Sequence, residues 1–521
     1  MAAPGAAPAE YPPLQGGARL LGTLAVSLAT FMNVLDSSIA NVSIPSIAGN
    51  LGVSPAQGTW VITSFGVANA IALPLTGWLT QRFGAVRLFT ASVLMFVLAS
   101  MLCGLATSLE MLVAARVLQG FVAGPLMPLS QTLLMASYPR NQTGKALAFW
   151  GMTTLVAPVV GPLLGGWITD NFSWPWIFYI NVPVGILAAF MIWSIYHRRE
   201  TPVRKLPIDH VGLALLVLWV GALQLMLDMG KEQDWFASSQ IVMLAVLSVV
   251  GFVVFLAWEL TDAHPVVDLR LFGTRNFTFG VLAVSVGYGL FFGNVVLLPL
   301  WLQQWMGYTA TQAGMALAPV GLLAILLTPL VGRQVGLWDP RWIATAAYLI
   351  FSAVMWLRSG FTPQTDLFHI LIPTVLQGAA LAMFFIPLTT ISFAGVPPQR
   401  LPAAAGLSTF LRITAGAMGT SITTTLWESR AQMHHAHLTE GLQTGNTALA
   451  SAMQALTGAG LSEQAALAQI TRMIDQQAYT RAADDIFLAS AMIFIALIGL
   501  IWFTRRPPRV VAPAADAGGA H

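Results

Sequence analysis

The sequence predicts an all-α integral membrane protein with fourteen transmembrane helices, arranged as two six-helix bundles plus two inserted helices. Three observations carry that expectation: an apolar composition, a succession of apolar runs long enough to cross a bilayer, and a repeat relating the two ends of the chain. Of 521 residues, 56% are hydrophobic and only 9% charged, and mean hydropathy is +0.73. A soluble domain carries about a quarter charged residues, so a water-soluble globule is excluded. The lone cysteine, Cys103, lies inside an apolar run, so neither an intramolecular disulfide nor a cysteine metal site can form.

A helix rises about 1.5 Å per residue, so roughly 20 apolar residues cross the hydrocarbon. Runs of that kind, bounded by polar or Gly/Pro breaks, fall at 19–45, 57–80, 87–107, 110–136, 145–169, 174–196, 209–229, 239–260, 276–304, 311–333, 341–358, 366–394, 402–427 and 484–505. The stretch MAAPGAAPAEYPPLQGG lacks the basic start and apolar core of a secretory signal, so residues 1–18 read as a disordered cytoplasmic tail, as do 507–521.

The distribution of basic residues orients these spans. With both tails inside, about 17 of the 24 Lys and Arg residues fall in inward segments and about 5 in outward ones. Arg82 and Arg87, Arg140 and Lys145, the cluster Arg198, Arg199, Arg204 and Lys205, and Arg505 and Arg506 all lie on the inner side. The net charge of +3 therefore reads as membrane orientation and not as a nucleic-acid site. Trp174, Trp176, Trp235, Trp301 and Trp305 fall near outward boundaries, where indole rings favour the headgroup layer.

Comparison of the chain with itself shows a repeat. Pro45, Gly52, Gln57, Pro74 and Gly77 recur as Pro299, Gly307, Gln312, Pro329 and Gly332; VLQG at 117–120 returns at 375–378, and Pro128-Leu129 as Pro387-Leu388. Spans one to six therefore map onto nine to fourteen, and seven and eight are an insert. The predicted segments are a first bundle over 19–197, a cytoplasmic linker with the inserted pair over 198–275, and a second bundle over 276–506 that includes an outward loop, 428–483. A substrate cavity is expected near the midplane where the bundles meet.

Ionisable groups in hydrocarbon cost at least a few kcal/mol and are functional candidates by default. Asp36 in span one and Arg116 in span four stand out as proton-coupling candidates, Asp36 for a proton or substrate role, since desolvation raises a carboxyl pKa and a nearby guanidinium lowers it; an Asp and an Arg can also pair simply to tie two helices together. The repeat places Phe291 opposite Asp36 and Thr374 opposite Arg116, which confines both charges to the first bundle. Arg412 in span thirteen is suited either to attract an anionic substrate group or to cap carbonyls beside Gly416 and Gly419. Asn33, Gln119, Phe291, Asn294, Gln377 and Phe384 complete the cavity candidates, each also readable as helix packing. The string Gly161, Pro162, Gly165 and Gly166 reads chiefly as close helix packing.

LDSSIANVSIP, RVLQG, GPLLGG and WPWIFYINVPVG resemble the signatures of the fourteen-span drug:proton antiporters of the major facilitator superfamily. Further strings, among them QGTWVITSFGVANAIALPLTGW, MLDMGKEQDWF, AWELTDAHPVVDL and GTSITTTLWESRAQMHHAHLTE, are similar to EmrB-type multidrug exporters of Gram-negative inner membranes, over nearly the whole chain. The resemblance implies the major facilitator fold, a proton or substrate role for Asp36, a proton-transfer role for Arg116, and an antiporter motif around Gly161 and Pro162. It also implies hydrophobic drugs and uncouplers as substrates, a periplasmic adaptor of the EmrA type and an outer-membrane channel of the TolC type. The chain departs from the superfamily pattern after span two: Gln81 replaces an Asp, and Ala85 and Val86 replace basic residues. That loop's usual charge lock is not carried over.

Other classes are poorly served by this sequence. No GxxxxGK[ST] loop supports an ATP-driven pump, and no GxSxG or HExxH supports a hydrolase, so no enzyme activity and no cofactor are expected. His434, His435 and His437 show no accompanying ligand shell, so no metal is expected. The stretch SAMQALTGAGLSEQAALAQITRMIDQQAYT within 428–483 suits either an amphipathic adaptor-docking hairpin or a solvated loop. The rival function is export of a siderophore, fatty acid or other metabolite on the same scaffold.

Overall fold

A computed structural model describes residues 11–53, 55–139, 142–204, 207–230, 233–263, 265–308, 310–440 and 447–507. Most of the two predicted tails, along with Arg140 and Lys205, lies outside the described residues, which are helical with no strand. The first six crossings are α1 (Gly16–Leu51), α2 (Trp60–Phe83), α3 (Ala85–Gly104), a fourth interrupted at Gly124-Pro125 into α4 (Leu109–Ala123) and α5 (Leu126–Ser137), α6 (Thr143–Asn171) and α7 (Asn181–Tyr196). The inserted pair is α8 (His210–Met229) and α9 (Ser239–Thr261). The last six crossings are α10 (Arg275–Gln304), α11 (Val320–Gln334), α12 (Pro340–Arg358), α13 (Leu367–Phe393), α14 (Leu401–Glu440) and, after the short α15 (Thr447–Gly458), α16 (Glu463–Trp502). Among the described residues twelve helical stretches are long and apolar enough to cross a membrane. Helices α6 and α14, of 29 and 40 residues, occupy the other two predicted crossings.

Each half has its own core. Phe89, Phe96, Met32 and Ile192 fill the first, while Trp301, Tyr348, Phe351, Phe487 and Phe494 fill the second. The inserted pair is seated against both halves, since Leu216, Trp219 and Val220 of α8 share a cluster with Leu73 of α2 and Phe410 of α14. Both described termini lie at one end of the bundle. Leu14 N–H donates to the Ser137 carbonyl, Arg199 to that of Pro12, and Arg275 and Asn276 to those of Phe503 and Arg505.

The halves meet most closely at that same end, because small residues let backbones touch. A methyl on Gly144 (α6) would sit 2.2 Å from the Gly332 carbonyl oxygen (α11), and one on Gly77 (α2) 2.5 Å from the Ala403 methyl (α14). Leu147, Ala148, Val331, Val335, Ile343 and Ile386 seal this seam. Farther along the same helices, a methyl on Gly66, Gly151 or Gly321 would meet nothing within 4 Å. The halves therefore diverge toward the end away from the termini.

Of the two readings of 428–483, the described residues follow the helical one: α14 runs on to Glu440 and α16 starts at Glu463, while 441–446 lie outside the described residues. Cross-helix hydrogen bonds hold these extensions together, with His434 Nε2 2.9 Å from Asp485 and His435 Nδ1 2.7 Å from Asp475. The loop after span two lacks its own acid, and a distant one takes its place. Glu200, which follows α7, accepts from the Val86 and Arg87 N–H groups at 3.0 and 2.9 Å and so caps α3. Gly84 makes this possible: its φ is +89°, and a Cβ there would strike the Glu200 carboxyl.

Candidate functional site

Asp36 projects from α1 into the first half, against α3, α4 and α7, and is 1% exposed. The approach of α6 fixes how α1 presents it. A methyl on Gly161 would lie 2.6 Å from Ser38, and one on Gly165 3.0 Å from Ile39, so both glycines are there for close packing beside the carboxylate. Gly166 makes no such approach, and Pro162 lies between them in α6.

The carboxylate is fully served by donors. Arg116 Nη1 donates to its Oδ2 at 2.6 Å, Gln119 Nε2 to its Oδ1 at 3.0 Å, and Asn181 Nδ2 to the same oxygen at 2.7 Å. Arg116 also donates to Gln119 Oε1 at 2.7 Å and, through Nε, to the Val61 carbonyl at 3.0 Å, with the Phe65 ring 4.3 Å beneath its guanidinium. Ser100 accepts from both Gln119 and Asn181, at 2.7 and 3.0 Å. A buried ion pair is tolerated only when its remaining hydrogen-bonding capacity is met, and this one meets that condition on both sides. The network is closed among helices of one half, with Arg116 about 10 Å along α4 from its start at Leu109.

The other cavity candidates are not gathered there. Asn294 is buried in the second half, donating to the Leu290 carbonyl and to Ser490, and Phe384 packs edge-on with Tyr348, Phe351 and Phe385. Both lie in that half's interior, where the Asn294 amide nitrogen is partnered but its Oδ1 is buried without a hydrogen-bond partner. Phe291 packs on the same core beside Phe351 and Phe292. Asn33 is buried on α1, one turn before Ser37, which donates to its carbonyl.

Gln377 leads to a residue that the sequence reading missed. Arg358, 1% exposed at the C-terminal end of α12, donates to Gln377 Oε1 at 2.7 Å and to Thr374 Oγ1 at 3.2 Å. Buried charge is therefore not confined to the first half. The sequence gives Arg358 the appearance of a boundary residue, because it ends an apolar run. Asn181 and Ser100 were missed for another reason: neutral polar residues in apolar runs carry no signal of their own, though Asn181 stands within WPWIFYINVPVG.

Arg412 lies on α14, about 16 Å from that helix's start and just beyond the closed seam. Its guanidinium has the rings of Trp150 (α6), Tyr288 (α10) and Phe385 (α13) each at 5.5 Å. It thus stands where the halves meet, not within one of them.

Residues 26–420 match the sequence profile of the Major Facilitator Superfamily. The chain belongs to that superfamily. Relatives within it include the "Multidrug export protein EmrB" of Escherichia coli (strain K12), 50% identical over 513 residues, which span 98% of this chain and 100% of that protein. The "Fatty acid resistance protein FarB" of Neisseria gonorrhoeae is 48% identical over 512 residues, again 98% and 100% of the two chains. Among solved structures, a human organic anion transporter, MFSD10, shares the fold at a TM-score of 0.57 with 13% identity, covering 94% of this chain and 100% of that one. A major facilitator protein is a multi-pass membrane transporter, so this chain carries cargo and is not an enzyme.

Proposed function

We propose that the protein is a proton-coupled exporter of hydrophobic drugs, uncouplers and antimicrobials, working across the inner membrane of a Gram-negative cell with both termini cytoplasmic. The observation that carries this reading is the sealed Asp36–Arg116 pair at 2.6 Å inside a scaffold whose halves close at one end and part at the other. Three donors, from Arg116, Gln119 and Asn181, converge on the Asp36 carboxylate while the mouth points outward. A proton arriving from that side neutralises it, the attraction for Arg116 is lost, and α1 is released from α4 so that the halves can rock toward the inward-open state. There the proton departs to the cytoplasm and Arg116 reclaims its partner. Each inward proton contributes about 2.3 kcal/mol per 100 mV of membrane potential, enough to drive accumulation against a gradient.

The relatives named as multidrug exporters support drugs as cargo; the FarB relative supports a second reading, in which fatty acids are the cargo of the same antiport cycle. The paired extensions of α14 and α16 offer a docking surface for a periplasmic adaptor of the EmrA type, which would join the pump to an outer-membrane channel of the TolC type. In proteoliposomes with an imposed pH gradient, the wild-type protein is expected to release protons when drug is added, and Asp36→Asn to insert normally yet lose that response. Vigorous gradient-driven export by Asp36→Asn would remove the carboxylate from the coupling step.

A further inference from the structure

The charges buried in the two halves do not cancel. Asp36 and Arg116 neutralise each other, whereas among the described residues Arg358 has only the neutral Gln377 and Thr374 as hydrogen-bond partners. Arg412 has less still. It is 6% exposed, its Nε has no hydrogen-bond partner, and among the described residues it forms no ion pair. A guanidinium offers five N–H donors in a planar fork, and leaving them unmet in a desolvated site is costly unless a ligand supplies acceptors.

What surrounds Arg412 is apolar and aromatic, and it is held in place. The Trp150 indole is oriented by donating to Ser130 at 3.0 Å. Gly416 leaves room for the Tyr288 ring, since a methyl there would lie 2.9 Å from it, and Phe292 packs against that ring at a tilt, with centroids 4.4 Å apart. The rings come from helices of both halves, so the arrangement sits at the junction that alternating access opens and closes.

We propose that Arg412 and its three rings form the receptor for the charged end of a lipophilic organic anion, a carboxylate or phenolate carried on an aromatic or aliphatic body. The proposal rests on the exporter reading above and narrows its substrate class. The guanidinium takes the acidic group through paired N–H donors, and the Trp150, Tyr288 and Phe385 faces take the apolar body. The uncompensated positive charge of Arg358 in the same half adds to the field that draws an anion inward.

The test is equilibrium dialysis of the purified full-length protein against three probes of one shape: biphenyl-4-carboxylate, biphenyl-4-carboxamide and biphenyl-4-ylmethylammonium. The wild-type protein is expected to bind the carboxylate about tenfold or more tightly than the amide, and the ammonium most weakly. Arg412→Gln should erase the preference for carboxylate while amide binding stays within about twofold, and Arg412→Lys should keep part of it. Thermal unfolding of each variant separates a lost receptor from a lost fold. Equal wild-type binding of carboxylate and amide overturns the proposal, as does a preference that survives in a folded Arg412→Gln protein. The two readings also fail separately. Proton-driven export of only neutral and cationic compounds would remove the anion receptor and leave the exporter standing. Arg412-dependent carboxylate binding without gradient-driven movement would do the reverse.

Discussion

Each half of the molecule buries a guanidinium against its VLQG helix, yet only the first half meets it with a carboxylate. In the first half Arg116 pairs with Asp36, and Gln119 braces both. In the second, the equivalent glutamine, Gln377, braces Arg358, which comes from the preceding helix, and Phe291 stands where Asp36 would be. Duplication has kept the amide in both places and the titratable acid in one. On the proposed cycle a rocking scaffold needs two matching halves but a proton carrier only once, which would account for a second half that keeps a guanidinium and has Phe291 at the acid position.

The largest expected effect comes from breaking the pair. Arg116→Met strands a buried carboxylate, which costs about 3–5 kcal/mol, whereas Arg358→Met strands none and is expected to leave stability unchanged or raised. Thermal unfolding of the two variants side by side measures the asymmetry; equal losses would mean that both halves use their arginine in the same way. The seam between the halves comes next. Gly332→Ala places a methyl 2.7 Å from the Gly144 oxygen and 2.9 Å from Ala148, and overpacking of this kind costs about 1–3 kcal/mol. The closed end should loosen, and a cysteine introduced at Gly66 should then be labelled from outside several-fold more slowly.

Asn181→Ala removes one of three donors to Asp36 and is expected to weaken the network by about 1–3 kcal/mol, less than loss of the arginine. Proton release per drug added should fall in proportion, without the collapse expected for Asp36→Asn. The smallest effect belongs to Glu200→Gln, which keeps an acceptor for the Val86 N–H but removes the negative charge at the start of α3. A loss of at most about 1 kcal/mol is expected, seen as a small fall in unfolding temperature at low salt. A large transport defect there would restore a gating role to this loop.

The fold was legible because the bilayer imposes long apolar runs, and the Asp36–Arg116 pair because charge in such runs is conspicuous. Gln119 was legible through its repeat partner, although the structure sets it inside one half as a brace and not on a cavity wall. Arg358 escaped because a basic residue closing an apolar run looks like an ordinary boundary, and its burial depends on the Thr374 and Gln377 side chains of a neighbouring helix. The aromatic setting of Arg412 escaped for a related reason: Trp150, Tyr288 and Phe385 come from three helices far apart in sequence, and no spacing rule links them. The continuation of α14 and α16 past the membrane was hidden by polar composition, which marks the end of hydrocarbon but not the end of a helix.

Those continuous helices have a mechanical consequence. At 40 residues each, α14 and α16 are about 60 Å long, roughly twice the thickness of the hydrocarbon, and His434–Asp485 and His435–Asp475 tie their far segments into one stiff strut. A strut rooted in one half turns with it: a tilt of about 10° swings a tip about 30 Å beyond the bilayer through about 5 Å. Whatever grips that tip is therefore levered once per turnover, so the transport cycle can be felt well outside the membrane without any loop having to rearrange.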